Sequence, residues 1–374
     1  MKIEILKENL KSSVGVVERI VGRNVSLPAL NNVFMETEDS FLVLVSTDLE
    51  TAIKRWVLAK VVKPGKVLVP AKFLSSFVAS LPNEKIVLEA NGQNLHIECK
   101  KVKTHIQGSN PEEFPIIPQF NDAEYLEMDA GKLCEGLSQI IDIPTASTSR
   151  PEISGIYFSF FKNNVKIAAT DSFRLAEKNI SLEKPVIKDY SFILPQRPAR
   201  EILNALDGKE GALKIYFLNS QVLFELGMKG VGHPEVQITS RLIDGEYPNY
   251  QDIIPTKFKT HATLKRDELL NQVKTASLFS GKVNEVKIMV NPEKKEVGIF
   301  AKSPEIGEHQ SAVDAVIEGD AMEVSFNYKY LVDGLLNIKS SEIVFDISKE
   351  EGPCILRPVG DASYIYVVMP IKAM

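Results

Sequence analysis

The spacing of apolar positions along the chain shows a repeat. Leu6, Leu10, Val14, Val17 and Val21 fall at helical intervals, as do Leu133, Leu137, Ile140 and Ile141, and then Leu269, Val273 and Ala276. Each stripe predicts an amphipathic helix that opens a module, with a period of about 125 to 135 residues. A hairpin follows each helix: NNVFMETEDSFLVLVSTD, SGIYFSFFKNNVKIAATD and VKIMVNPEKKEVGIFAKS, with turns predicted at Glu38-Asp39, Asn163-Asn164 and Asn291-Pro292. Thr47-Asp48 and Thr170-Asp171 occupy equivalent positions, and their recurrence at strand ends points to turn stabilisation rather than catalysis. Next comes a strand running into a second short helix: KVLVPAKFLSSFVASLP, SFILPQRPAREILNALD and MEVSFNYKYLVDGLLNI, where Pro70 and Pro195 match Asn327. Closing hairpins complete the copies, among them IVLEANGQNLHIECK with an Asn91-Gly92 turn, and IVFDISKEEGPCILRPV. The tails EEFPIIP and GEYPNYQDIIP, ending at Pro118 and Pro255, read as linkers, which places modules at 1–121, 122–255 and 256–374.

Two helices on one side of a sheet make a two-layer unit, so the predicted class is α+β with three tandem copies of one α/β module. Three units joined end to end give an arc lined by six helices, and the unlike free ends of modules one and three associate head-to-tail, which closes a ring when the rotation permits. With helices about 10 Å thick and about 10 Å apart, six would enclose a hole about 10 Å wide and twelve one of about 28 Å. A duplex about 20 Å across fits the second, so the expectation is a homodimeric ring around double-stranded DNA, helices lining the hole and sheets outside. Charge leans the same way: the six predicted helical segments sum to +5 in a chain of net charge −5. A mild basic lining suits sequence-independent phosphate contacts that hold DNA without fixing position.

Composition narrows the alternatives. Hydrophobic residues make up 44% of the 374-residue chain and charged residues 25%, an ordinary globular balance without a membrane-length apolar run. Charges interleave the first residues, MKIEILKENLKSS, so no secretory signal is expected and the predicted location is cytoplasmic. Cys99, Cys134 and Cys354 lack metal or redox spacing and read as buried small hydrophobes. His96, His105, His233, His261 and His309 are dispersed, and no G-x-x-x-x-G-K-[ST], G-x-G-x-x-G or H-E-x-x-H occurs. The expectation is therefore a non-catalytic protein without metal or cofactor. Its rival is a multivalent scaffold that collects protein partners without encircling DNA.

LPALNNVFMETEDSFLVLVSTDLETAI in module one, AATDSFRLA and LIDGEYPNYQDIIP in module two, and the terminal YVVMPIKAM, in that order and spacing, resemble the bacterial DNA polymerase III beta subunit family along essentially the full length. The resemblance implies the DNA clamp fold and a head-to-tail homodimer that tethers the polymerase III alpha subunit to DNA. It also implies an ATP-driven clamp loader and many partners carrying short linear motifs. Carried over residue by residue, it places a peptide pocket between modules two and three at Ile153, Thr170, Ser172, Phe173, Arg174, Leu175, Pro248, Asp252, Ile253, Pro353, Val367, Met369 and Ile371. Apolar residues with a few polar anchors suit a partner's Leu or Phe, and methionine adapts to varied ligands. Ser172-Phe173 stand where the family often has Gly-His, and Asp252 where it often has arginine. The same matching points to Arg23, Lys72, Arg150 and Arg197 for DNA, with Pro151 and Glu152 where tyrosines sometimes follow, and to Ile106, Leu278 and Phe279 for the dimer interface.

Overall fold

The computed structural model describes residues 1–22, 26–118, 120, 124–218 and 220–371. Among them are six α-helices: α1 Lys7–Val17, α2 Ala71–Ser80, α3 Ala130–Ile140, α4 Gln196–Leu206, α5 Arg266–Ser277 and α6 Tyr328–Asn337. The chain divides into two compact units, Met1–Cys134 with Arg197–Leu242, and Glu135–Gln196 with Ile243–Met374. Each unit thus holds one outer module and part of the middle one.

In the first unit, Lys60–Lys63, Lys2–Leu6, Lys85–Asn91, Asn94–Cys99 and Val102–Gln107 form one antiparallel sheet in that order. The other runs Tyr125–Asp129, Ala212–Leu218, Gln221–Gly227, Pro234–Arg241, Thr51–Leu58, Phe41–Thr47, Asn32–Glu38, Lys66–Pro70. Helix α1 packs on α2 and against Phe41–Thr47 and Thr51–Leu58, the expected two layers. In the second unit one sheet runs Tyr190–Pro195, Gly155–Phe161, Asn164–Thr170, Arg174–Ser181, Tyr364–Val368, Cys354–Pro358, Glu342–Ile347, Thr260–Lys265, Gly307–Gly319, Glu296–Ser303, Glu285–Asn291, Met322–Asn327. Helices α5 and α6 pack together beside it.

The apolar stripes mark the buried helix faces. Leu10, Val14 and Val17 are wholly buried, as are Leu133, Leu137 and Ile140, and Leu269, Val273 and Ala276 nearly so. Burying each Leu or Val contributes about 1.5–3 kcal/mol. The ends of the stripes were read too generously. Each module opens with a strand, Lys2–Leu6, Tyr125–Asp129 or Thr260–Lys265, and only then enters its helix. Leu6 is extended and 59% exposed, because Ile3 and Ile5 already fill the core by strand alternation and Leu6 falls on the other face. Val21 lies beyond the end of α1, past a 3-10 turn at Glu18–Ile20, but remains buried.

Turn positions shift by a residue where the left-handed conformation falls elsewhere. Lys162, with φ 50°, makes the second hairpin turn Lys162-Asn163, and pairing of Asn91 with Asn94 makes Gly92, with φ 59°, and Gln93 the turn residues of the first closing hairpin. Of the cysteines, Cys99 and Cys354 are buried but Cys134 is only half-buried. Burial pushes the Cys134 thiol up to about 11 and that of Cys354 to about 12, so neither is a thiolate nucleophile at neutral pH.

The larger omission is a third strand in each half-module. Thr51–Leu58 and Arg174–Ser181 lie outside the predicted hairpins, yet they make the joints: Thr51–Leu58 pairs with Pro234–Arg241 in the first unit, and Arg174–Ser181 with Tyr364–Val368 in the second. Their charged residues conceal them. Arg55, Arg174, Glu177 and Lys178 are all under 9% exposed, and a pattern search counts them as surface.

One close approach fixes α6 on the sheet. A Cβ on Gly334 would stand 2.5 Å from the buried Tyr366 ring. Gly334→Ala is therefore expected to lower stability by about 1–2 kcal/mol despite a gain in helix propensity of nearly 1 kcal/mol, as urea unfolding followed by circular dichroism will show.

A candidate peptide groove beside a repeated turn

Thr170 and Asp171 close the strand Asn164–Thr170 with a tight turn. The Thr170 Oγ1 donates to the Arg174 carbonyl at 2.7 Å and accepts from the Ser172 N–H at 3.2 Å, while Asp171 Oδ1 accepts from the N–H groups of Phe173 and Arg174, each at 3.0 Å. Ser172 takes φ 76° at its apex. In the first unit Thr47 and Asp48 build the same turn: Thr47 Oγ1 donates to the Thr51 carbonyl at 2.8 Å, Asp48 Oδ1 accepts from Glu50 and Thr51, and Leu49 has φ 76°. Both aspartates hold turns, in keeping with their recurrence in the sequence.

The second-unit turn is the candidate wall of the peptide groove that the resemblance implies. Beside it, the Met369 N–H donates to the Phe173 carbonyl at 2.9 Å and the Ile371 N–H to the Ser325 carbonyl at 2.8 Å, which fixes the chain after Tyr364–Val368. Leu175 and Val367 lie beneath in one cluster with Ala168, Ile193, Tyr247, Tyr250 and Ile355. The linker contributes Pro248, and Ile253 in the 3-10 turn Tyr250–Ile253 is 49% exposed beside Asp252, which accepts from Asn249 at 2.7 Å. Phe173, 59% exposed, is the largest apolar side chain offered. Ile153, Leu175 and Val367 are at most 6% exposed and offer little contact surface. Pro353, half-buried, accepts from Ser348 through its carbonyl.

Arg174 is the electrostatic centre of this wall. It is 7% exposed; its Nε donates to Asp171 Oδ2 at 2.9 Å, its Nη1 to Asp333 on α6, and its Nη2 to the Asp142 carbonyl at 3.2 Å. The guanidinium lies 4.9 Å from the Tyr330 ring centroid, and Phe173 stacks on the same ring at 6.2 Å. Burial works against its charge, but Tyr366, Asp333 and Asp171 more than offset that and hold its pKa above the ordinary value. Sequence reading missed Asp333, Tyr330, Tyr247 and Tyr250. Tyr250 donates to Glu177 at 2.6 Å, and burial, together with Glu177, keeps its hydroxyl protonated.

The DNA candidates are differently placed. Arg23 lies outside the described residues. Lys72 is exposed on α2. Arg150 meets Glu152 and Ser172, each at 3.4 Å, and so touches the groove turn. Arg197 bonds Asp48 at 3.1 Å and the Ile20 carbonyl at 3.1 Å, which ties it to the first-unit turn. For the interface, Leu278 is 68% exposed and Phe279 stacks on His309 at 5.6 Å, but Ile106 is 4% exposed, so its strand offers an open backbone edge rather than that side chain.

Repeated α/β modules with this turn and strand-joined sheets define a three-domain DNA clamp fold, and comparison with known proteins agrees. The N-terminal, central and C-terminal domains of the DNA polymerase III beta subunit match residues 1–118, 137–249 and 251–372. A beta sliding clamp from Synechococcus elongatus is 27% identical over 100% of this chain and 99% of its own length. The crystal structure of the Bacillus subtilis DNA polymerase sliding clamp superposes with TM-score 0.92 at 26% identity, and that of a Pseudomonas aeruginosa sliding clamp bound to griselimycin with TM-score 0.93 at 23%, each covering 100% of both chains. The chain belongs to the DNA polymerase III beta subunit family of bacterial sliding clamps, whose members are non-catalytic processivity factors.

Removing Arg174 leaves the Asp171 carboxylate, 5% exposed, without its cation. Arg174→Ala is expected to cost about 3 kcal/mol in chemical denaturation, and Arg174→Lys less, because one ammonium cannot reach all three acceptors.

Proposed function

We propose that this chain acts as a sliding clamp that encircles duplex DNA as a head-to-tail homodimer and tethers polymerase and other partners through the groove beside Arg174. The observation that carries the ring is an unfilled third joint. Thr51–Leu58 pairs with Pro234–Arg241, with Ser240 opposite Thr51; Arg174–Ser181 pairs with Tyr364–Val368, with Val368 opposite Arg174. The third members of these two sets are the N-terminal part of Gly307–Gly319 and the strand Val102–Gln107. Residues 307–314 pair only with Glu296–Ser303, and Val102–Gln107 only with Asn94–Cys99 among the described residues. Each is an open edge, and edges of this kind seek a partner.

Hairpin register puts Ile106 where Ser240 and Val368 stand, and Gly307 where Thr51 and Arg174 stand. One copy's Ile106 would then face Gly307 of the next, with exposed Leu278 on the same module as that edge. Two such seams close two chains into a ring.

The domain limits 1–121, 122–255 and 256–374 fit this reading, as do the polymerase III alpha subunit and the clamp loader as partners. Among the described residues no helix is long and apolar enough to cross a membrane.

A purified dimer, once placed on nicked circular DNA by the clamp loader with ATP, should remain there through gel filtration and be lost when the circle is linearised; retention on both forms would favour the scaffold. Lys72→Glu should shorten its residence on the circle, with the loss diminishing at higher salt. Leu278→Glu, at an exposed site, should shift sedimentation from twice the 41.6 kDa chain mass towards the single chain without changing circular dichroism.

A further inference from the structure

The first unit contains an element-by-element counterpart of the peptide groove. Its turn Thr47–Thr51 repeats Thr170–Arg174 bond for bond, and the Arg241 N–H donates to the Glu50 carbonyl at 2.8 Å as the Met369 N–H does to Phe173. The linker Pro115-Ile116-Ile117-Pro118 lines a cavity of about 270 Å³ beside that turn and continues into a second of about 650 Å³ over Trp56. Ile116 is 95% exposed and Leu49 47%, so apolar anchors stand in water at both rims. By register, Ala52, Thr239 and Arg241 replace Leu175, Val367 and Met369.

We infer that this trough is a second docking groove for extended segments of partner proteins, and that it selects an acidic side chain next to a bulky apolar one. The occupant follows from the replacements. The backbone frame that presents a strand-like edge is kept, but the floor is smaller and polar, and a guanidinium stands where Met369 stands in the other groove. Arg241, with its side chain 58% exposed, is held by Glu50 only at 3.5 Å, a contact that a carboxylate bound bidentately would displace. The other charges facing the trough are already engaged: Glu112 by Lys66, Glu225 by Lys214 at 4.0 Å and Gln237 at 2.6 Å, and Lys54 by Glu38 at 3.8 Å and the Trp56 ring at 4.4 Å. Glu36 remains as the charge that a basic segment would seek.

The inference rests on the groove beside Arg174 being a peptide site, and the test separates the two. Full-length protein labelled at isoleucine methyl groups is titrated with acetylated ten-residue peptides, each a Leu-Phe pair in a Gly/Ser background followed by two Asp, two Ser or two Lys. The Ile116 and Ile117 signals should shift with the Asp peptide at a Kd about fivefold below that of the Ser peptide, the scale of one exposed ion pair. Arg241→Ala should abolish that difference. Ile116→Glu, at a fully solvated position, should abolish the response of Ile117 while Ile253 still responds. Silence at Ile116 and Ile117, or tighter binding of the Lys peptide there, overturns the second groove. If Ile253 responds meanwhile, the first groove stands; if Ile253 is silent too, both fall.

Discussion

Pairing between strands of different modules is the constraint on which the rest of this structure depends. Thr51–Leu58 with Pro234–Arg241, and Arg174–Ser181 with Tyr364–Val368, each keep five residue pairs in register. A backbone hydrogen bond is worth only about 1 kcal/mol net, but an unpaired N–H or C=O buried at such a joint would cost about 1–3 kcal/mol. The joints are therefore satisfied along their length, and they set the depth at which the adjoining turns and linkers lie.

The turns follow from the joints. At both, a Thr-Asp pair folds the chain back just before the pairing strand, and the first residue beyond the opposite strand's last pair donates to that turn, Arg241 to Glu50 and Met369 to Phe173. One backbone solution thus presents two frames, and side chains distinguish them. Leu175, Val367 and Met369 make the second frame apolar, while Ala52, Thr239 and Arg241 make the first polar. In the second, Arg174 ties the frame to α6 through Asp333 and Tyr330, so the turn and the helix are one electrostatic unit.

The helices and outer hairpins were legible because their burial is one-sided, which leaves a periodic trace: Leu10, Val14 and Val17 recur at helical spacing and are buried. The joining strands left none. Arg174–Ser181 reads RLAEKNIS, an apparently solvated stretch, yet Lys178 donates to Ser363 at 2.8 Å and pairs with Asp361 at 3.5 Å, and Glu177 accepts from Tyr250. Arg55 likewise meets Glu235 at 3.0 Å. Partners some 70 to 185 residues away make these charges tolerable inside, and no local window contains both halves of such a pair. Of the residues that the resemblance assigns to a peptide site, Ser172, Phe173 and Ile253 are exposed, whereas Tyr247 and Tyr250 were read only as part of a linker.

By itself the sequence determined the threefold repeat, the buried face of each opening helix, the Thr-Asp turns and the membership of a clamp family, since these rest on short-range periodicity or on motifs contiguous in the chain. Only the tertiary structure decided which strands join the modules, that Ile106 is covered while its strand edge stays open, and that the same turn-and-strand frame occurs in both units. The physical reason is common to all three: a strand's pairing and a charge's burial depend on the group brought opposite it, and that group lies in another part of the chain.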